Sequence, residues 1–349
     1  MNAFDKLCSI IKNFPEAILS AFVDLAERIT ADLESDADIE KPVKTVKEAE
    51  KPAKITYKPS SCPDCSGKHI VKNGHKGGTQ RFMCKNCGRT FATTNGTIMQ
   101  YSHFGKEAWE QAIADTLDGK ISLDKTAEKL GIHHSTAFYM RHKILMALEQ
   151  CADNSPTVLG NISELDETYI LDSYKGSKFG PDAPRDTRRH GAVASKPGIS
   201  DEFICVMSGV QRDGGPAFAI SLNRAHPSTD EIIDAFSDHI ERGCVAFTDG
   251  LKGYKHLESI VDCVVESVPV SKQKSMKTVT LNNVNGFHNN IHEHIKQYRG
   301  VATKYLNRYN ALFASTYRKI SIKALTSKLL EKLCVNTYNN VKNDNLLCV

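Results

Sequence analysis

Apolar residues follow two spacings along this chain, one typical of helices and one typical of strands. Residues 1–34 and 103–150 place apolar side chains three and four positions apart, as amphipathic helices do. Between residues 160 and 300, runs of strand-forming residues alternate with helical segments; the clearest strands are Glu202–Val210, Ala217–Leu222 and Cys244–Gly250. This alternation predicts an α/β fold built on a sheet and covered by helices.

The same pattern suggests where the chain divides. Residues 35–57 contain mostly Asp, Glu, Lys, Ala and Pro, and they have too few large apolar side chains to offset the entropy lost on ordering, so we expect a flexible linker there. We therefore predict a helical N-terminal extension with its linker, a small module, a helical module, an α/β domain and a basic tail, over residues 1–57, 58–98, 103–150, 158–315 and 316–349.

Composition narrows the class of protein. The 349 residues are 40% hydrophobic and 25% charged, as in ordinary globular proteins. No apolar run approaches the roughly 18–20 residues that cross a bilayer, and the N-terminal apolar stretch is broken by charges, so we expect no membrane segment. Basic charge is uneven: residues 296–349 hold 10 Lys and Arg against 2 Asp and Glu, which favours either a polyanionic partner or solvated helix surfaces.

Four of the eleven cysteines form two Cys-x-x-Cys pairs separated by eighteen residues. Two such turns offer four thiolates to one tetrahedral Zn²⁺, and strand-like residues between the pairs predict the hairpin of a zinc ribbon. All four coordination positions would be filled, so the zinc would be structural. The predicted ligands are Cys62, Cys65, Cys84 and Cys87.

A helix-turn-helix is predicted over residues 121–148. One helix ends near Gly131, and Ser135 and Thr136 can cap the helix that follows. The N-terminal half of a recognition helix meets base edges and phosphates. A plain helical hairpin is the alternative, and with the ribbon and the positive charge we favour DNA binding through His133, His134, Ser135, Thr136, Tyr139 and Arg141.

Two acidic residues interrupt or end apolar strands in the predicted α/β domain. Asp166 lies within a strand-forming run, and Asp249 ends the strand that follows the first helix of this domain. On adjacent parallel strands these carboxylates could face each other and hold divalent cations, for which hard oxygen ligands favour Mg²⁺ or Mn²⁺. Between them, the Gly- and Pro-rich segment 175–196 predicts a mobile basic loop that grips phosphates, with Arg185, Arg188 and Arg189.

Farther on, Asn285 opens a helix on which His288 and His292 share one face. The amide oxygen of Asn285 could be a neutral third ligand for Mg²⁺. An Asn-rich stretch that only caps the helix is the alternative.

Taken in order, these motifs resemble the zinc-ribbon insertion-sequence transposases of the DDE superfamily, in the branch with Asn as the third catalytic residue. The resemblance covers roughly residues 58–315 and includes the ribbon, the helix-turn-helix, and the segments 166–169, 173–176, 248–250, 282–285 and 299–306. It implies an RNase H-like core, with Asp166, Asp249 and Asn285 as the metal-binding catalytic residues. It also implies binding to double-stranded DNA, at the terminal repeats of the element and at the target, by a homo-oligomer that cleaves the ends and transfers strands. The location that it implies is the cytoplasm of a prokaryote, in association with the nucleoid.

One position departs from this family. Seven residues after the Asn, where these transposases have a Lys that contacts DNA, this chain has His292, which carries positive charge only when protonated. Lys296, one helical turn later, could take that role. Two other functions share most of the motifs: a zinc-ribbon and helix-turn-helix regulator with an inactive core, and an RNase H-type nuclease without transposition.

Overall fold

The computed structural model describes residues 59, 61–77, 79–154, 156–177, 184–186, 188, 193–268, 280–317, 325–326 and 329–330. The predicted extension and linker, 1–57, and most of the predicted tail, 316–349, lie outside these residues. Within the described part of the chain, no helix has the length and apolarity to cross a membrane.

The N-terminal module is a three-stranded antiparallel sheet. Its strands are β1 (Ile70–Lys76), β2 (Thr79–Cys84) and β3 (Thr90–Ala92), in the order β1-β2-β3. We predicted only the hairpin. The third strand forms because Phe91 pairs with Phe82 across the ladder, and the two rings lie 6.3 Å apart in a small core.

Three helices follow: α1 (Lys106–Asp118), α2 (Leu123–Leu130) and α3 (His134–Asn154). Glycines with left-handed backbone end the first two helices, Gly119 at φ 69° and Gly131 at φ 62°, a conformation that costs other residues energy. The Ser122 side chain accepts the Lys125 N–H and caps α2. The predicted helix–turn–helix arrangement is therefore present at α2 and α3.

The α/β domain contains a five-stranded mixed sheet in the order β6-β5-β4-β7-β8. Strand β5 is antiparallel to β4 and β6, whereas β4, β7 and β8 run parallel. This is the RNase H-like mixed sheet that the sequence led us to expect. The strands are β4 (Ile162–Leu171), β5 (Phe203–Gln211), β6 (Ala217–Arg224), β7 (Val245–Thr248) and β8 (Val264–Ser267).

Four more helices cover the sheet: α4 (Thr229–Phe236), α5 (Leu257–Val261), α6 (Asn282–Gln297) and α7 (Leu306–Tyr317). Helix α4 is shorter than the predicted segment 228–240, because the chain tightens into a 3₁₀ turn at Ser237–His239 and then extends. At its start, the side chain of Ser228 and that of Glu231 cap each other's backbone N–H groups.

The two faces of the sheet have separate cores. One face packs against α4, α5 and the turn 252–256. The other face packs against α6 and α7, and also against α1 and α3, whose buried side chains include Trp109, Ile113 and Ile144. The helices that we predicted as a separate DNA-binding module thus share one core with the sheet. They do so because residues 140–148, in the middle of α3, are all buried.

A close contact joins the turn after α1 to the side of α6. A Cβ at Gly119 would lie 2.9 Å from Nε2 of His294, closer than such atoms approach in proteins. The His294 ring cannot move away freely, because its Nδ1 bonds the Asn290 carbonyl oxygen at 2.8 Å and the ring lies 5.2 Å from that of Phe313. Only a residue without a side chain fits at position 119.

Candidate active site

Three carboxylates meet where β4 and β7 run side by side. The parallel ladder pairs Glu164 with Phe247, so two residues farther along each strand Asp166 comes level with Asp249. Carboxylate oxygens of Asp166, Glu167 and Asp249 lie within 4.8 Å of one another. The two aspartates that the sequence singled out are therefore neighbours, and Glu167 joins them.

Burial and like charge both act on this acidic cluster. Burial, followed by the negative charges of Glu167 and Asp249, raises the pKa of Asp166 to about 7. The pKa of Glu167 is also raised, by burial first and then by Asp249. Carboxylates this close favour protonation of one member or neutralisation by a cation.

The protein itself supplies little compensating charge. Among the described residues, the ion-pair contact that reaches these carboxylates is from His288, whose Nδ1 lies 3.8 Å from Oδ2 of Asp166. Burial, with a smaller contribution from His292, lowers the pKa of His288 to about 4, so its ring is neutral near pH 7. No described lysine or arginine pairs with the three carboxylates.

The side chain of Glu167 leaves the strand on the face of the sheet opposite to that of Asp166, since successive strand residues point to opposite sides. Hydroxyl groups on that face hold it in place. The hydroxyl of the buried Tyr254 donates a hydrogen bond to Oε2 of Glu167 at 3.0 Å, and the Tyr169 hydroxyl lies 3.5 Å from Oε1. We did not predict a role for Glu167. The available signal was Tyr254, five residues after Asp249, but only the folded sheet shows where its hydroxyl points.

Helix α6 lies along β4 on the side of Asp166. Its buried His288 faces Asp166, and one turn farther on Nε2 of His292 lies 2.8 Å from the Thr168 hydroxyl. Asn285 is exposed in the first turn of α6, three residues before His288. Its role as a metal ligand stays a prediction.

The donor set of this site fits a divalent cation. Carboxylate oxygens are hard ligands that favour Mg²⁺ or Mn²⁺. A cation would also relieve the repulsion that raises the pKa of Asp166, which no described basic side chain does. Asp166 and Asp249, with Glu167 beside them, are the described acidic residues that could hold it.

The four ribbon cysteines converge as zinc ligands do. The Cys62 and Cys87 sulfurs lie 3.7 Å apart and those of Cys65 and Cys84 3.6 Å apart, and all four sulfurs lie within 4.8 Å of one another. Four sulfurs at about 2.3 Å from a tetrahedral Zn²⁺ would be about 3.8 Å apart. The cluster thus has the ligand type, number and spacing for structural zinc.

Most of the predicted DNA-contacting residues of α3 are at the surface. His133, His134, Ser135 and Tyr139 are exposed, and Thr136 is half-buried. Some of these residues already have partners: Nδ1 of His134 lies 2.7 Å from the Asp124 carboxylate, and Nδ1 of His133 lies 2.8 Å from the Ser135 hydroxyl.

Arg141 is a correction to the predicted DNA-binding set. It faces the core side of α3, where its guanidinium donates to the Ile121 carbonyl oxygen at 2.7 Å and lies 5.9 Å from the centre of the Tyr298 ring. With only 5% of its surface exposed, Arg141 ties α3 to neighbouring elements and does not reach a phosphate.

Arg188 is a second correction. Its guanidinium donates to the carboxylates of the buried Asp172 and of Glu202, so its charge is used inside the protein. Arg185 and Arg224 also pair with Asp172. Arg189 lies outside the described residues.

The predicted DNA contacts of α6 are both exposed but have different partners. The His292 ring nitrogen is engaged by Thr168, and partial desolvation by the surrounding protein lowers the pKa of His292, which opposes the positive charge that a phosphate contact would need. Lys296 is well exposed, and its Nζ lies 3.7 Å from the Glu293 carboxylate.

Comparison with known proteins gives matches of three kinds. Residues 158–318 match the profile of the ISXO2-like transposase domain. Over 200 residues, the chain is 24% identical to an uncharacterised protein in the transposable element ISH50 of Halobacterium salinarum. That match covers 56% of this chain and 64% of the relative, so the chain spans less than two thirds of the relative's length.

Solved structures show weaker likeness. A pre-cleavage Mos1 transpososome is 10% identical, with a TM-score of 0.27 over 64% of this chain and 74% of that chain. A simian T-cell lymphotropic virus intasome is 12% identical, with a TM-score of 0.28 over 52% and 60%. Scores in this range describe limited overall similarity.

The domain match covers the acidic cluster, helix α6 and the whole five-stranded sheet. It agrees with the resemblance seen in the motifs, and the relative from Halobacterium salinarum is a protein in a transposable element. Together these matches support an insertion-sequence transposase, with similarity to the ISXO2-like transposase domain over residues 158–318.

Proposed function

We propose that this protein is an insertion-sequence transposase, which binds the ends of its element and catalyses metal-dependent cleavage and transfer of DNA strands. The observation that carries the proposal is the approach of the Asp166, Glu167 and Asp249 carboxylates to within 4.8 Å, inside the segment that matches a transposase domain. Such a cluster is costly to maintain without a cation, and its ligands are those that Mg²⁺ and Mn²⁺ prefer.

In this proposal, Asp166, Asp249 and the amide oxygen of Asn285 hold Mg²⁺ or Mn²⁺. Divalent cations held by these residues would supply activation of a water or a 3′-hydroxyl and stabilisation of the leaving oxygen in phosphodiester displacement. The protein's own contribution is rigidity. Asp166 lies inside a paired strand, and the Tyr254 hydroxyl orients Glu167 beside it.

DNA is the proposed substrate and partner. The exposed side chains at the start of α3, including His133, His134, Ser135 and Tyr139, would meet the element ends, and Lys296 on α6 would contact DNA near the carboxylates. Structural zinc in the ribbon would fix its fold. Because an element has two ends to be joined, we propose that a homo-oligomer acts on them.

A cleavage assay tests this proposal. On DNA that carries the ends of the element, Asp249→Asn should lower Mg²⁺-dependent nicking by at least about a thousandfold, since it removes a charged ligand from the metal site. The matched control is Asp262→Asn, an isosteric change at an exposed residue whose left-handed backbone Asn also tolerates. The control should cleave normally.

The assay also separates the alternatives. DNA binding without any Mg²⁺-dependent cleavage in the unmodified protein would instead indicate a regulator with an inactive core. Cleavage without joining of the 3′ end to a target would indicate a nuclease. Undiminished cleavage by Asp249→Asn would remove the carboxylate cluster from the mechanism.

A further inference from the structure

Glu164 is a fully buried carboxylate two residues before Asp166, and every hydrogen bond found for it leads to another element. Its Oε1 accepts from Nε of Arg212 at 2.7 Å and from Nδ2 of Asn283 at 2.8 Å. Its Oε2 accepts from the backbone N–H groups of Asn283 at 2.7 Å and Val284 at 3.0 Å. Both oxygens are thus engaged within the protein, and Glu164 is not a candidate metal ligand.

These bonds make Glu164 the N-terminal cap of α6. The helix has no side-chain cap of its own, because its N-cap residue is Leu281. A carboxylate that accepts N–H groups of the first turn satisfies donors that a helix leaves unpaired, and its charge is favoured at the positive end of the helix dipole. Strand β4 therefore holds the beginning of α6 through this side chain.

Arg212 connects Glu164 and the start of α6 to a third element, strand β7. Besides its ion pair with Glu164, its second guanidinium nitrogen donates to the Thr280 carbonyl oxygen at 2.6 Å, just before α6. The guanidinium also lies 4.6 Å from the centre of the Phe247 ring in β7, within the range of a cation–π contact.

Three residues that make these contacts each lie two positions before a proposed metal ligand. They are Glu164 before Asp166, Phe247 before Asp249 and Asn283 before Asn285. A residue two positions earlier in a strand points to the same face, so Glu164 and Phe247 lie beneath the carboxylates on the side of α6. One buried ion pair contacts all three segments from which the ligands come.

We infer that Glu164 and Arg212 are positioning residues, which set the start of α6, and with it Asn285, at a fixed distance from Asp166 and Asp249. The inference rests on the proposed metal-dependent function. Neither residue touches a reacting atom. They act by keeping the ligands in place before the cation arrives, as the partners of metal ligands do in other sites.

The test uses the full chain with its zinc and follows Mn²⁺ binding by electron paramagnetic resonance. In the double variant Glu164→Met/Arg212→Met both charges leave together, so no unpaired buried charge remains to unfold the domain. Affinity for Mn²⁺ should fall about ten- to a hundredfold. The backbone N–H groups of Asn283 and Val284 should exchange with solvent faster, and excess Mn²⁺ should restore strand cleavage.

The matched control removes another interior ion pair, Glu149–Arg308, whose atoms lie 3.3 Å apart between α3 and α7. Glu149→Met/Arg308→Met should bind Mn²⁺ as the unmodified chain does. Unchanged Mn²⁺ affinity in the Glu164/Arg212 variant would overturn the inference, as would an equal loss in the control. If Glu164→Met/Arg212→Met does not fold, Asn283→Ala provides the test, because it removes one hydrogen-bond donor to Glu164. Unchanged Mn²⁺ affinity in Asn283→Ala would also overturn the inference.

Asp166→Asn separates this inference from the function on which it rests. If Asp166→Asn loses Mn²⁺ binding but the Glu164/Arg212 variant keeps it, the metal site stands and the positioning role falls. If Asp166→Asn binds Mn²⁺ normally, the carboxylates are not the metal site, and both proposals are overturned.

Discussion

His142 is a titratable side chain enclosed by other rings. It is 1% exposed, and its ring centre lies 4.2 Å from that of Phe138 and 4.3 Å from that of Tyr305. Burial, with the positive charges of Arg308, Arg141 and Lys304, lowers the pKa of His142 to about 3. The folded protein therefore keeps this imidazole neutral where an unfolded chain would protonate it.

This difference predicts a pH dependence of stability. Between pH 6.5 and about 3 the unfolded chain binds a proton at His142 that the folded chain does not, so acidification lowers the contribution of His142 to the free energy of unfolding. The loss should be on the order of a few kcal/mol at pH 3.5, because one unit of pKa shift corresponds to about 1.4 kcal/mol. Urea unfolding from pH 3.5 to 8 measures it.

His142→Phe should flatten that dependence, since Phe keeps the ring packing and Nδ1 of His142 has no hydrogen-bond partner among the described residues. His75→Phe, at an exposed position of β1, serves as the control and should leave the slope as it is. An equally steep loss of stability in His142→Phe would assign the acid sensitivity to other groups.

Single residues also mark the limit of inference from sequence. Asp166 and Asp249 could be predicted because each interrupts or ends an apolar strand, which is a local signal. Glu164 and Arg212 could not, because their ion pair joins residues 48 positions apart and has no local pattern. Arg141 was assigned to DNA from its place on the predicted recognition helix, and Arg188 from the basic segment 175–196, but each is held inside by particular acceptors.

At the scale of elements, we expect the ribbon to depend most directly on structural zinc. Its buried hydrophobic cluster contains only five described residues, two of which are the predicted ligands Cys62 and Cys84. So small a core stabilises a fold weakly, and structural zinc contributes folding free energy outright.

Cys84→Ser should therefore release the zinc, unfold the ribbon and weaken DNA binding, while the α/β domain stays folded. Zinc content per chain and binding to element-end DNA measure these effects. Cys151→Ser, a thiol of α3 outside the cluster, should keep one zinc per chain. Retention of one zinc per chain by Cys84→Ser would contradict the assignment of these four ligands.

Element types were more predictable than element ends. The strands β5, β6 and β7 follow their apolar runs closely, since β-branched residues and flanking turns define them. The end of α4 and the existence of β3 depend on tertiary contacts, such as the pairing of Phe82 with Phe91. Local sequence does not contain that information.

At the scale of the whole described molecule, α1 and α3 belong to the same hydrophobic cluster as the sheet. Local helix signals predicted the hairpin well, but the packing partner of its apolar face was not visible in them. A shared core implies shared unfolding, because elements that bury one cluster lose it together.

Trp109 allows the shared unfolding of the helices and the sheet to be measured, since it is the only tryptophan of the chain and lies buried in α1. In urea, its fluorescence and the far-ultraviolet circular dichroism should change at the same midpoint. Ile144→Ala, at a fully buried position of α3, should lower both midpoints equally and cost about 2–5 kcal/mol.

An exposed change on the same helix, Tyr139→Ala, is the control and should leave both midpoints within about 0.5 kcal/mol of the unmodified chain. A tryptophan transition at clearly lower urea than the dichroism transition would show that the helices unfold independently of the sheet.

The absence of a side chain at Gly119 has a mechanical consequence. The gap between the Gly119 backbone and the His294 imidazole is too small for a Cβ, so a side chain at position 119 would push α6 away from the helical hairpin. Such a displacement would stretch the 3.3 Å bond from Gln297 to the Lys120 carbonyl oxygen and open the core that α6 shares with α1 and α3. The turn after α1 therefore acts as a spacer that sets how closely the hairpin and α6 approach.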